Sequence, residues 1–137
     1  MRNLKLLTVL FAALLLTFSA CKKDDDPPMA VEINSLELSS DNTELTVNFN
    51  QGVYRNADKT GRLENDNFEI TFYSSQGITA QYSVSHTAGE QAVTINFVYE
   101  EELVGDERIE VTALKETFYG SEGNSVDQDL TADIDVN

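Results

Sequence analysis

Leu45-Thr46-Val47-Asn48-Phe49-Asn50 reads as a strand, and the rest of the chain follows its rule. Apolar Leu45, Val47 and Phe49 alternate with polar Thr46, Asn48 and Asn50. A period of two sends one row of side chains inward and the other to water, as a half-buried antiparallel strand requires. Phe68, Ile70 and Phe72 alternate with Glu69, Thr71 and Tyr73 in the same way. Ile78, Ala80, Tyr82 and Val84 share one phase. So do Val93, Ile95, Phe97 and Tyr99, then Ile109, Val111 and Ala113, and last Leu130, Ala132, Ile134 and Val136.

The first strand departs from the rule. Val31 and Ile33 hold one phase, Leu36 and Leu38 the other. A phase flip sends side chains to the opposite face, so a bulge or break is expected near Asn34 and Ser35. A strand that changes sheets would give this pattern. Turn-forming residues separate the strands, at 40–42, 56–61, 74–77, 88–90, 105–106 and 120–124. A short helical turn is expected at residues 100–103, where Glu-Glu-Glu-Leu favours helix over strand. About seven strands in one domain, residues 30–137, predict an all-β antiparallel β-sandwich, with a small barrel as the alternative.

Residues 39–54, a turn followed by Leu-Thr-Val-x-Phe and then Val-Tyr, resemble the opening of bacterial Ig-like domains of surface-layer and adhesin type. Asn67-Phe68-Glu69-Ile70 is similar to the strand that follows in that family. Leu103-Val104-Gly105-Asp106 before Ile109 looks like its late turn, and residues 119–126 like its closing Gly-Asn loop. The resemblance spans most of residues 30–137 and implies an Ig-like β-sandwich that serves as a stalk, spacer, adhesion module or glycan-contacting unit. The tryptophan and paired cysteines of antibody-type domains are missing.

Ahead of the domain, residues 1–20 have the layout of a secretory signal. Arg2 and Lys5 form a basic start, residues 6–16 an apolar run, and Ser19-Ala20 a small-residue end. The run is too short for a stable transmembrane helix, which needs about 20 apolar residues. The chain's single cysteine, Cys21, follows at once. Phe18-Ser19-Ala20-Cys21 resembles the bacterial lipobox, with Phe18 where an aliphatic residue is usual. The resemblance implies that Cys21 is acylated and becomes the mature N-terminus. The alternative is an ordinary cleaved signal followed by a chance cysteine. Lys22, Lys23, Asp24, Asp25 and Asp26 are similar to the export signal of Bacteroidota-type surface lipoproteins. That likeness implies an outer-membrane lipoprotein facing the cell exterior, against a periplasm-facing position or a plain solvated tether. Residues 21–29 are thus read as an acylated cysteine and a tether, stiffened by Pro27-Pro28.

Charge narrows the partners. Without Arg2 and Lys5, seven basic residues face 24 acidic ones, a net charge near −17. Nucleic acid is excluded as a partner, because phosphate binding needs the opposite sign. The membrane is expected to be reached only through the lipid anchor. A lone cysteine forms no internal disulfide, so the core alone must hold the fold.

No enzyme signature is present: no Gly-x-Ser-x-Gly, no His-Glu-x-x-His and no phosphate loop. His86, the sole histidine, reads as a boundary residue at a strand end. No catalytic residue and no resident cofactor are expected. Ca²⁺ is the candidate metal, since it needs six to eight oxygens and the loops are rich in carboxylates. Asp58, Glu64, Asp66 and Asp106 are its candidate ligands, against a reading as solvated surface charge. Tyr73, on the polar phase of its strand, is the candidate aromatic contact for a glycan. The expected function is a non-enzymatic, lipid-anchored surface module, with a glycan or surface protein as partner. The alternative is a glycan- or nutrient-binding lipoprotein of an uptake system.

Overall fold

The computed structural model describes residues 27–137. Cys21 and residues 22–26 lie outside the described residues. Nine strands follow in order: β1 Ile33–Leu38, β2 Glu44–Phe49, β3 Val53–Tyr54, β4 Phe68–Tyr73, β5 Ala80–Ser85, β6 Ala92–Tyr99, β7 Arg108–Ala113, β8 Tyr119–Gly120 and β9 Leu130–Asp135. Seven are six residues or longer and carry the alternation seen in the sequence. The other two, β3 and β8, pair as a short ribbon.

The long strands form two antiparallel sheets, one ordered β1-β2-β6-β5 and the other β4-β7-β9. With β3 and β8 set aside, this is the ABED and CFG connectivity of a constant-type immunoglobulin sandwich. The chain is therefore an Ig-like antiparallel β-sandwich rather than a barrel.

The core lies between the sheets. Leu45, Val47, Val93, Ile95, Ile109, Val111 and Ala113 are fully buried. Phe72 packs edge-on against Phe97, centroids 5.4 Å apart, and against Tyr99. The in-phase tyrosines solve their hydroxyl problem at the rim, as buried tyrosines must. Tyr82 Oη donates to the Phe68 carbonyl at 3.1 Å, and Tyr99 Oη to the Asn42 carbonyl at 2.8 Å.

Two expectations are corrected. The phase flip in β1 is a bulge inside one ladder, not a change of sheet. Ile33 pairs with Phe49 and Ser35 already with Asn48, so Asn34 is the extra residue, and β1 pairs with β2 on both sides of it. Residues 100–103 form no helical turn. Glu100 N–H donates to the Thr79 carbonyl, while the Glu101 carboxylate accepts the Thr79 N–H, which holds the stretch as an open bend. A helical turn occurs instead at Asn65–Asn67, where Asn67 Oδ1 accepts the Glu64 N–H at 2.8 Å.

Candidate functional site

The proposed calcium ligands do not converge. Asp106 precedes β7 and accepts a hydrogen bond from Ser75 Oγ, at the end of the sandwich where β4 finishes. Asp58, Glu64 and Asp66 belong to the loop before β4, at the other end. There Arg55 takes up two of them. Its guanidinium grips Asp66 through two nitrogens, at 2.9 and 2.6 Å, and reaches Glu64 Oε2 at 2.8 Å. Paired forks of this kind are strong, directional contacts. The hydrogen bond from Arg55 holds the Asp66 carboxyl below its usual range. Asp58 accepts from Thr60 Oγ1 within its own turn. Among the described residues, no three His, Cys, Asp or Glu side chains are grouped to hold a metal ion.

Tyr73 stands on the outer face of the β4-β7-β9 sheet and is 44% exposed. Arg108, its partner across the ladder, lies over the ring with Cζ 4.7 Å from the centroid. Tyr73 Oη donates to Glu110 Oε1 at 3.2 Å, and that acceptor holds the phenol above its ordinary range. One ring face is thus covered by a cation.

His86 joins two loops. Its Nδ1 accepts the Leu63 N–H at 3.0 Å, and its Nε2 lies 3.1 Å from the Glu90 carbonyl oxygen. The first contact needs a lone pair on Nδ1, and the second needs a proton on Nε2. The ring is therefore the neutral Nε2–H tautomer, holding the loop before β4 to the turn between β5 and β6.

Burial pushes the His86 pKa down from its ordinary 6.5. With the folded value below the unfolded one, the unfolded chain takes up the proton first as pH falls. The stability His86 supplies is complete above about pH 6.5 and is lost as pH drops through the lowered folded value. In urea titrations stepped down from pH 7.5 to about 5, the wild-type midpoint should fall more steeply than that of His86→Gln, which does not titrate. Parallel curves would show that the bridge survives protonation.

A second set of side chains fixes where the chain enters the domain. Gln51 Nε2 donates to the Met29 carbonyl at 2.8 Å, while its Oε1 accepts from Ser121 N–H and Oγ. Asn50 Nδ2 donates to the Ala30 carbonyl at 2.9 Å, and its Oδ1 accepts the Glu32 N–H at 3.0 Å. The two amides clamp residues 29–32 onto the sandwich.

Periodicity held a clue to Gln51. It continues the buried phase of Val47, Phe49 and Val53, so a polar group there must be hydrogen-bonded. Glu107 continues the buried phase of Ile109 and Val111 in the same way. Fully buried, its carboxylate accepts the N–H groups of Val104 and Gly105 at 2.7 Å each and shapes that turn. Arg55 gave no such clue, because its partners come from a loop without period.

The chain matches no family model, no curated protein and no solved structure.

Proposed function

We propose that this chain is a non-enzymatic, lipid-anchored module of the cell surface that binds a partner or spaces one from the membrane. One observation carries the reading. The only cysteine opens a short acidic and proline tether, and that tether runs directly into residues 29–32, which the Asn50 and Gln51 amides hold to the sandwich. Acyl chains on Cys21 make the attachment lasting, at about 0.8 kcal/mol per buried CH₂. The tether spans about 25–30 Å when extended, enough to lift the domain clear of the lipid headgroups. It enters at the end that carries the Arg55 and His86 loops. The loops with Ser75 and Asp106 then form the far end. The titratable side chains packed in or against the core, Glu107, Tyr82, Tyr99 and the half-buried His86, all spend their polar atoms on backbone groups, which suits a rigid module rather than a reacting site.

Fractionation and protease shaving of intact cells test this. Cys21→Ala should move the protein from the membrane to the soluble fraction. Wild-type protein should be cleaved by added protease. A variant with Asp24, Asp25 and Asp26 changed to alanine should stay at the membrane but be protected. A Cys21→Ala protein that still sediments with membranes would end the anchor reading. Protection of the wild type would turn the domain toward the periplasm.

A second reading, glycan contact by a lipoprotein of an uptake system, rests on the exposed ring of Tyr73. It requires that Tyr73→Ala abolish retention on a glycan column that holds the wild type.

A further inference from the structure

The sandwich has four edge strands, β1 and β5 in one sheet and β4 and β9 in the other. An edge strand leaves backbone N–H and C=O groups unpaired, a template for another strand unless something blocks it. Three of the four are blocked. β1 carries the bulge at Asn34 and lies beside β9 along one flank. β9 is guarded by Asp133 and Asp135, and the Asn42 side chain ties the chain just beyond it through both atoms of its amide. β5 is covered by Asn65, whose Nδ2 donates to the Tyr82 carbonyl at 3.0 Å and whose Oδ1 accepts the Val84 N–H at 2.8 Å.

β4 has none of these devices. It pairs with β7 over six residues without a register shift and contains no proline or lysine, and its single charge is Glu69. The ladder shows which groups stay free. Leu114 N–H donates to the Asn67 carbonyl at 2.9 Å, so 67 and 114 are a hydrogen-bonded pair. By alternation, Glu69, Thr71 and Tyr73 turn their backbone groups to β7, while Phe68, Ile70 and Phe72 turn theirs outward. The Phe68 carbonyl accepts Tyr82 Oη from that outer side, in agreement. Ile70 and Phe72 thus point their N–H and C=O groups away from β7, and among the described residues no loop or side-chain hydrogen bond reaches them.

The surroundings set the chemistry of an added strand. On the core side, Ile70 and Phe72 are only half-buried and would pack against apolar side chains. On the solvent side, the sheet presents Glu69, Glu110, Asp133 and Asp135 against the lone cation Arg108. A second copy would bring the same acidic surface and the same strong net negative charge, and like charge opposes that pairing.

We propose that β4 is a docking edge that takes one extended segment of a partner protein as an added strand, apolar on its inward phase and basic on its outward phase. Main-chain hydrogen bonds to Ile70 and Phe72 supply the attachment, and the acidic face selects the partner. This gives the binding-module reading a place and a ligand chemistry. Its test uses protein free in solution, so it stands or falls apart from the anchor.

The probe is a synthetic peptide of alternating lysine and valine, added to the full chain carrying Cys21→Ala. Amide hydrogen exchange is followed by NMR. The expected result is saturable binding with about tenfold slower exchange at Ile70 and Phe72, and little change at Thr71, already bonded to β7. The same peptide N-methylated at alternate residues should not bind. Glu69→Lys should weaken binding by about tenfold. Binding that leaves Ile70 and Phe72 unchanged would be surface attraction only and would overturn the proposal. So would equal binding of an alternating glutamate and valine peptide, or no binding at all. Slowed exchange at the two amides that grows with protein concentration alone would make the occupant a second copy and would equally overturn it.

Discussion

Phe118→Ala should cost about 3–5 kcal/mol of unfolding free energy, the range for truncating a buried aromatic. Phe118 is fully buried and tilts against Phe49, centroids 5.6 Å apart. It sits on the connection between β7 and β8 rather than in a sheet. Phe49 is itself fixed in β2, paired with Ile33 of β1, so it is not free to collapse into the space. A domain of this size has about 5–15 kcal/mol in all, so the variant should unfold at markedly lower urea with an unchanged slope. Val98→Ala is the matched control. Val98 is 68% exposed on β6, and its truncation should stay within about 0.5 kcal/mol. A Phe118→Ala midpoint close to that of Val98→Ala would mean that the loop bearing Phe118 does not close the core.

Phe118 also marks the boundary of what sequence could tell. Six of the seven long strands were legible because each turns alternate residues inward over five or more positions, and no other structure yields that period. The bulge in β1 was legible for the same reason, since a flip of phase is itself a pattern. What periodicity could not supply is the apolar side chain that plugs the core from a loop. Leu63 and Phe118 are both fully buried, and neither has an in-phase neighbour that would mark it as interior. The candidate sites divide on the same line. Tyr73 faces solvent, as its strand phase requires. Asp58, Glu64, Asp66 and Asp106 share only a place in carboxylate-rich loops, and loop membership does not say which end of the sandwich a loop joins. Folding placed Asp106 at the opposite end of the sheet and gave Glu64 and Asp66 to Arg55. The unguarded edge of β4 was also hidden. Its openness depends on Asn65 covering β5, and nothing in the order of residues says which edge an asparagine will reach.

Gly52→Ala should destabilise the domain by about 3 kcal/mol or more, as overpacking against fixed backbone with loss of hydrogen bonds does. Gly52 has an ordinary backbone conformation, so strain at its own dihedrals is not the cause. The cause is approach. A Cβ at Gly52 would collide with the Gly89 carbonyl oxygen and stand 3.1 Å from its carbon. Both are main-chain atoms of the turn between β5 and β6. That turn is bonded to the same strand, Gly89 N–H to the Val53 carbonyl at 2.9 Å and Val53 N–H to the Glu90 carbonyl at 3.2 Å. It cannot back away without breaking both bonds. Tyr54 leaves it no room on another side, since a Cβ at Gly89 would lie 2.8 Å from Tyr54 Oη. Glu90 is also the residue whose carbonyl faces His86 Nε2. Displacing the turn should therefore loosen His86 and expose its ring; relief of burial, the largest cause of the lowering, lifts its pKa toward the ordinary 6.5, and the weakened Glu90 carbonyl contact offsets part of that rise. Histidine NMR titration of Gly52→Ala reads this directly, and a chemical denaturation curve gives the stability. Gly89→Ala strikes the same turn from its own side, with φ at +87° adding backbone strain. The double variant should then cost less than the sum of the singles, because a turn already displaced is not displaced twice. Simple additivity, or a Gly52→Ala protein whose His86 titrates as in the wild type, would mean that the strand yields instead of the turn.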